Sequence, residues 1–230
     1  MAAVVALTTS LGFWQLRRAD EKAGLQARAE QARAAGPLDI GAGPLPSGLE
    51  GRAVRLQGRF VPAGTIYIDN RTHRGVAGFH VLTPVRIDVA AQHVMVLRGW
   101  VPRDPRERMR LPTVPTPEDV VEIVGLVEAR LGRTLELRES APPGPGERLW
   151  QNYDPERFRS WSGLPILDPV VRQDPGGVDD GLVREWRMAG NDVDKHRGYA
   201  FQWFAMAAAA LAVTLYLMVA LIRHASPNPR

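Results

Sequence analysis

Residues Tyr199–Ile222 read YAFQWFAMAAAALAVTLYLMVALI, an uncharged run that stops abruptly at Arg223 and His224. At about 1.5 Å rise per residue, such a run covers roughly 30 Å of hydrocarbon with length left for tilt. Apolar residues lie on every side of the helix it would form. Cores able to bury such a helix all round belong to large proteins, so the run is predicted to cross a membrane. Any activity of the chain is then exercised at a bilayer.

The opposite end supplies a second apolar run. Met1–Leu16, MAAVVALTTSLGFWQL, is interrupted only by Thr8, Thr9, Ser10 and Gln15, and stops at Arg17-Arg18. It is slightly shorter than the roughly 17 to 25 residues of a full span. A secretory signal would begin with basic residues and end in a small-residue cleavage site. This run has no basic start and ends in Phe13, Trp14, Gln15 and Leu16. It is predicted to be a first transmembrane helix, N-terminally short as the chain is written. Two spans put both termini on one side and the middle on the other. The tail after Ile222 carries Arg223 and Arg230 and no acid, which favours the cytoplasm. The basic stretch after the first span argues the other way, but it leads into a long loop, where the rule is weak. The middle is therefore expected on the extracytoplasmic, periplasmic side. The abundance of Ala, Arg, Gly and Pro suggests a high-GC bacterial genome, hence a bacterial cytoplasmic membrane.

Between the spans, residues 17–35 are rich in Ala, Glu, Gln and Arg without proline, and should continue the first helix. Gly36-Pro37 ends it, and residues 36–51 read as a Pro/Gly linker. From 52 to 190 the texture is that of short strands. Val54, Leu56 and Gly58 alternate with charged and polar residues, and Ile66 and Ile68 do the same. Phe79–Ile87 and His93–Trp100 flank a polar turn at Asp88–Gln92 and read as a hairpin. Val120–Ala129 gives a further strand, and Ala141–Gly146 (APPGPG) a loop. Asp154-Pro155-Glu156 has an N-cap followed by proline at the first helical position, predicting a short helix to Trp161. Leu164–Gln173 suggests a last strand interrupted by Pro169, and Asp174–Gly181 is turn chemistry. The fold class expected is a membrane protein with two transmembrane helices flanking a mainly antiparallel β (α+β) extracytoplasmic domain, a compact sheet or partial barrel. Residues 199–222 form the second span and 223–230 the tail.

Composition excludes several functions. The net charge of +4 comes from scattered arginines. With no basic run interleaved with aromatics, nucleic acid is not the expected partner. Zero cysteines remove disulfides, thiolate metal sites and redox dithiols, so the outer domain must rely on its apolar core. None of GxSxG, HExxH, GxxxxGK[ST] or GxGxxG occurs, and no catalytic residue is predicted. Glu118, Asp119, Asp179 and Asp180 lie in turn-like contexts and read as solvated loop charges.

The histidines separate into one candidate and four bystanders. His73 sits in a Gly- and Arg-containing loop and should be exposed. His80 lies inside a strand. His93 and Met95 share a strand face, but two ligands are too few for copper(I), and packing explains them better. His224 belongs to the tail. His196 stands three residues before the apolar run, and His196, Tyr199 and Trp203 form one helical stripe. Imidazole is an axial ligand for haem iron, and the aromatic stripe could pack a porphyrin. An interfacial aromatic belt is the competing account. Gln202 is the strongly polar side chain inside that end of the span. Trp14-Gln15 and Gln202-Trp203 would lie at similar depth in antiparallel helices, where polar groups are cheaper facing each other or a cofactor than facing lipid. Gly78 and Gly99, each beside an aromatic residue, read as sites of bulging or close backbone approach. Arg98 reads as a solvated strand charge or a docking residue.

Four stretches in this order, LGFWQLRRADEK, GFHVLTP (Gly78–Pro84), VLRGWVP (Val96–Pro102) and HRGYAFQWF (His196–Phe204), resemble the SURF1 family from end to end. The resemblance implies two membrane helices flanking a β-rich domain, and a non-enzymatic role in assembling haem-copper terminal oxidases of the respiratory chain, in particular cytochrome c oxidase. It further implies haem a delivery or insertion, with the oxidase catalytic subunit as partner and haem a synthase as a second. The family's haem-linked histidine corresponds to His196, with Tyr199, Gln202, Trp203, Trp14 and Gln15 lining the chamber. The chain departs from the pattern at its short N-terminus and at Arg197-Gly198, which should alter the lip of the site more than its existence. A cofactor-free membrane scaffold that docks on an oxidase intermediate is the alternative; a sensor is disfavoured by the short tail.

Overall fold

In the computed structural model the described residues are 1–87, 91–107, 109–132, 144, 146–176, 179–186 and 193–225. Their elements, in chain order, are α1 (Ala2–Ala34), β1 (Leu38–Gly41), β2 (Ala53–Phe60), β3 (Ile66–His73), β4 (Val76–Ile87), β5 (Gln92–Pro102), β6 (Val121–Glu128), β7 (Leu149–Trp150), α2 (Pro155–Ser162), β8 (Ile166–Gln173) and α3 (Val193–Ala225). They divide into two compact units, Ala32–Trp186 and a unit made of Met1–Gln31 with Arg187–Arg230.

The alternating segments of the first unit form a β-rich domain. β2 pairs antiparallel with β6, and β6 with β8. β8 runs parallel to β5, β5 antiparallel to β4, and β4 returns to β2 through Arg59↔Arg86 and Phe60↔Val85. The ring β2-β4-β5-β8-β6 is closed, as in a five-stranded Greek-key barrel of the OB kind. β3 and β7 extend it beyond β4, and β1 adds to β2 in parallel. β1 falls within the stretch expected to be linker. Its Leu-Asp-Ile-Gly sequence has little strand preference, and the edge of β2 supplies the hydrogen-bonding partners.

Apolar residues fill the domain in three clusters, the smallest made of Tyr67, Phe79, Val81 and Leu182. Val54, Leu56, Val85, Val94, Val96 and Ile123 belong to one cluster, while Leu82, Met95, Leu97 and Phe158 belong to another under α2. β5 is thus buried on both faces, which explains its unbroken apolar run where a half-exposed strand would alternate. α2 forms as its start signal predicts. The Asp154 carboxylate accepts from the Arg157 N–H at 3.0 Å, Pro155 follows, and Gly163 ends the helix in the left-handed region. β8 accommodates Pro169 where its register against β5 shifts, between Ile166 and Val170. The hairpin turn partly falls on residues 88–90, and the 141–146 loop falls mostly on residues that lie outside those described.

Two charge readings are corrected here. Arg98 is 1% exposed, neither solvated nor available for docking. Val81 pairs with Gly99 and Leu82 with Leu97, so Arg98 is the extra residue of a β-bulge. Its guanidinium donates to Asp180 at 2.8 Å, to the Pro115 carbonyl at 2.7 Å and to Thr116 at 2.6 Å, and lies over the Phe60 ring. Asp180, expected as a loop charge, is 6% exposed and also accepts from Arg184 at 2.6 Å. The glycine readings agree with the packing. A Cβ on Gly78 would overlap the Val101 carbonyl and the Trp100 ring, and one on Gly99 would come within 2.6 Å of Leu182.

Candidate functional site

The second unit is built from two long helices. α1 runs unbroken for 33 residues, its polar half carrying Arg18–Glu21 and Gln26–Glu30 contacts of 2.9 Å. α3 is also 33 residues long. Among the described residues α3 is the one helix long and apolar enough to cross a membrane, over Val193–Arg223. Its apolar side chains are displayed outward, with Phe201 75%, Tyr216 73% and Leu221 71% exposed. That surface, with the length, is consistent with a membrane location. Hydroxyls in both helices turn back onto their own backbone: Thr8 donates to the Val4 carbonyl and Thr214 to that of Ala210. This satisfies them without water.

The helices meet in antiparallel order. The Phe13 ring packs edge-on against Phe204 at 5.2 Å, while Gln15 reaches His196 further along. On α1 the covered positions Val5, Thr8, Gly12, Gln15 and Ala19 recur at alternating spacings of three and four. On α3 Val193, His196, Ala200, Trp203 and Ala207 do likewise. This is the seam pattern of packed helices, with small residues permitting close approach. The closest point is Gly12, where a Cβ would lie 2.6 Å from the Phe204 ring.

At the Gln15 position of this seam the site takes shape. His196 Nδ1 lies 2.7 Å from Gln15 Oε1. Nε2 has no hydrogen-bond partner among the described residues. A half-buried imidazole with one nitrogen engaged and the other open suits axial ligation of haem iron. The other residues expected at the site are dispersed around this pair. Trp203 is half-buried on the seam, whereas Tyr199 is 52% and Trp14 51% exposed, and Gln202 is exposed as well. No hydrogen bond or ring contact joins these four to His196 or Gln15 among the described residues. Trp14-Gln15 and Gln202-Trp203 were expected at similar depth; the hydrogen bond that forms along the three-and-four seam joins Gln15 to His196. Gly12, Phe13 and Phe204 were missed as the residues that set the helix spacing. A glycine opposite an aromatic in the partner run was the available signal.

The remaining histidines have structural settings. Burial, and secondarily the charge of Arg71, push the His80 pKa down to about 4, and its ring meets Trp186 edge-on. His73, expected to be exposed, is partly covered, its ring tilted against Trp100 at 5.2 Å and 3.3 Å from Glu185. Met95 is fully buried in the cluster under α2, so packing accounts for it. Among the described residues no group of three or more His, Cys, Asp or Glu side chains could hold a metal ion.

Comparison with known proteins gives the chain its relatives. The SURF1 family profile matches residues 2–208, a range that takes in α1, the β-domain and α3 through the seam. The chain belongs to the SURF1 family. Among SURF1 relatives, mouse Surfeit locus protein 1 is 26% identical over 230 residues, covering 90% of this chain and 70% of its own. The SURF1-like protein of Rickettsia bellii (strain RML369-C) is 24% identical, with 88% and 83% covered. The yeast protein named cytochrome oxidase assembly protein SHY1 is 28% identical over 169 residues, 67% of this chain and 41% of its own. The motifs singled out from the sequence lie within the matched range.

Proposed function

We propose that this SURF1-family protein is a non-enzymatic assembly factor for cytochrome c oxidase that handles haem a on its way to the catalytic subunit. The name of the yeast relative supports the assembly role, and family membership carries it to this chain. In this reading α1 and α3 both cross the membrane, the β-domain lies on the extracytoplasmic side, and the seam faces the bilayer rim. The observation that carries the haem reading is the contact between His196 and Gln15 across the hairpin. It leaves Nε2 as a single axial donor. One protein ligand holds haem loosely, which suits a carrier that must release its cargo. Trp203 on the same seam, and Tyr199 and Trp14 beside it, offer flat apolar surface for the porphyrin edge. The oxidase subunit and haem a synthase are the partners this function requires.

The test is spectroscopic. Full-length protein in detergent, titrated with haem, should develop a Soret band that His196→Ala loses or strongly weakens. An unaltered band in that variant removes His196 from the site. Failure of the unmodified protein to bind any haem would favour a cofactor-free docking scaffold.

A further inference from the structure

Which nitrogen a histidine can offer to a metal is decided by what holds the other one. Resting on the haem-ligand reading above, the contact at 2.7 Å between His196 Nδ1 and Gln15 Oε1 has a definite consequence. An amide oxygen has no proton to give, so a hydrogen bond to it requires the proton on Nδ1. Nε2 is then left with its lone pair. We propose that Gln15 is a positioning residue, which holds the His196 imidazole in the Nδ1–H form and so presents Nε2 to a haem iron.

The surroundings make this a fixed arrangement. Gly12 and Ala19, one turn to either side of Gln15 on its own face, are buried, so the backbone bearing the amide is held in the seam. Val193 and Ala200 flank His196 in the same way. Histidine in water prefers the proton on Nε2, which would block ligation through that atom, so the preference must be reversed locally. Gln15 therefore acts through His196, without itself touching the porphyrin. Two other polar side chains near this level, Gln202 and Tyr199, are exposed and make no hydrogen bond to the ring among the described residues.

The experiment compares unmodified full-length protein with Gln15→Leu, Gln15→Glu and His196→Ala in detergent, using two readouts. Nitrogen-15 NMR of histidine-labelled, haem-free protein reads the tautomer directly. The unmodified protein should show His196 as Nδ1–H, and Gln15→Leu should lose that signature. In haem titrations Gln15→Leu should bind about 10- to 100-fold more weakly, the usual effect of removing such a partner. Gln15→Glu, which keeps an acceptor and adds charge, should restore binding and lower the Fe(III)/Fe(II) midpoint potential. A merely structural glutamine would not move the tautomer or the potential. The proposal is overturned if His196 is Nε2–H in the unmodified protein, or if Gln15→Leu keeps both tautomer and affinity. Loss of haem in His196→Ala with an unaffected Gln15→Leu sinks the role of Gln15 alone. Full haem binding by His196→Ala sinks the ligand reading and this role with it.

Discussion

Arg98 has almost no access to water, so its charge must be met by protein. The barrel meets it with one carboxylate, one carbonyl, one hydroxyl and an aromatic face. Asp180 in turn serves two guanidiniums, those of Arg98 and Arg184. Removing one member of a buried ion pair leaves the other uncompensated, which costs about 3 to 5 kcal/mol. Arg98→Met should therefore lower unfolding free energy by about that amount, measured by denaturant titration. Adding Asp180→Leu should cost less than the sum of the two single changes, and strict additivity would show that the pair is not coupled. None of this was legible at the residue itself. A lone arginine in a strand normally faces solvent, and here a bulge turns it inward toward an acid in a distant segment of the chain.

Elements were legible where their signals were local. The capping residue and proline at the start of α2 specify that helix without help from the rest of the chain. β1 was not, because its strand character comes from the neighbouring edge. α1 and α3 were legible as apolar helices, but the residues that join them were only partly so: the stripe through His196 and Trp203 was visible, while its partner stripe through Gly12 and Gln15 needed the spacing of both helices at once. This seam is open to test. Gly12→Val would drive a branched side chain into the Phe204 ring. Overpacking of this kind costs about 1 to 3 kcal/mol. The variant should melt at a lower temperature in detergent and bind haem more weakly, while the β-domain keeps its far-ultraviolet strand signature. An unaltered melting temperature would mean that the helices can part at no cost.

For the molecule as a whole, topology is the property on which the function depends. The chain has no cysteine, so single cysteines report cleanly on sidedness. Ile40→Cys should react with an impermeant maleimide added outside intact cells, and His224→Cys only after the membrane is opened. Reaction of both from one side would overturn the two-span arrangement. The β-rich character of the domain could be read from alternation and turns, but the closure of its sheet could not. Closure depends on pairings between strands distant in sequence, β2 with β6, β5 with β8 and β6 with β8.

The ring has one keystone, and it is made late. β8 seals the gap between β5 and β6, so the barrel stays open until Ile166–Gln173 has been supplied. Contacts so distant in sequence form slowly. Only about twenty residues separate the keystone from α3. The last pairing of the domain and the apolar helix α3 thus fall close together in the birth of the chain.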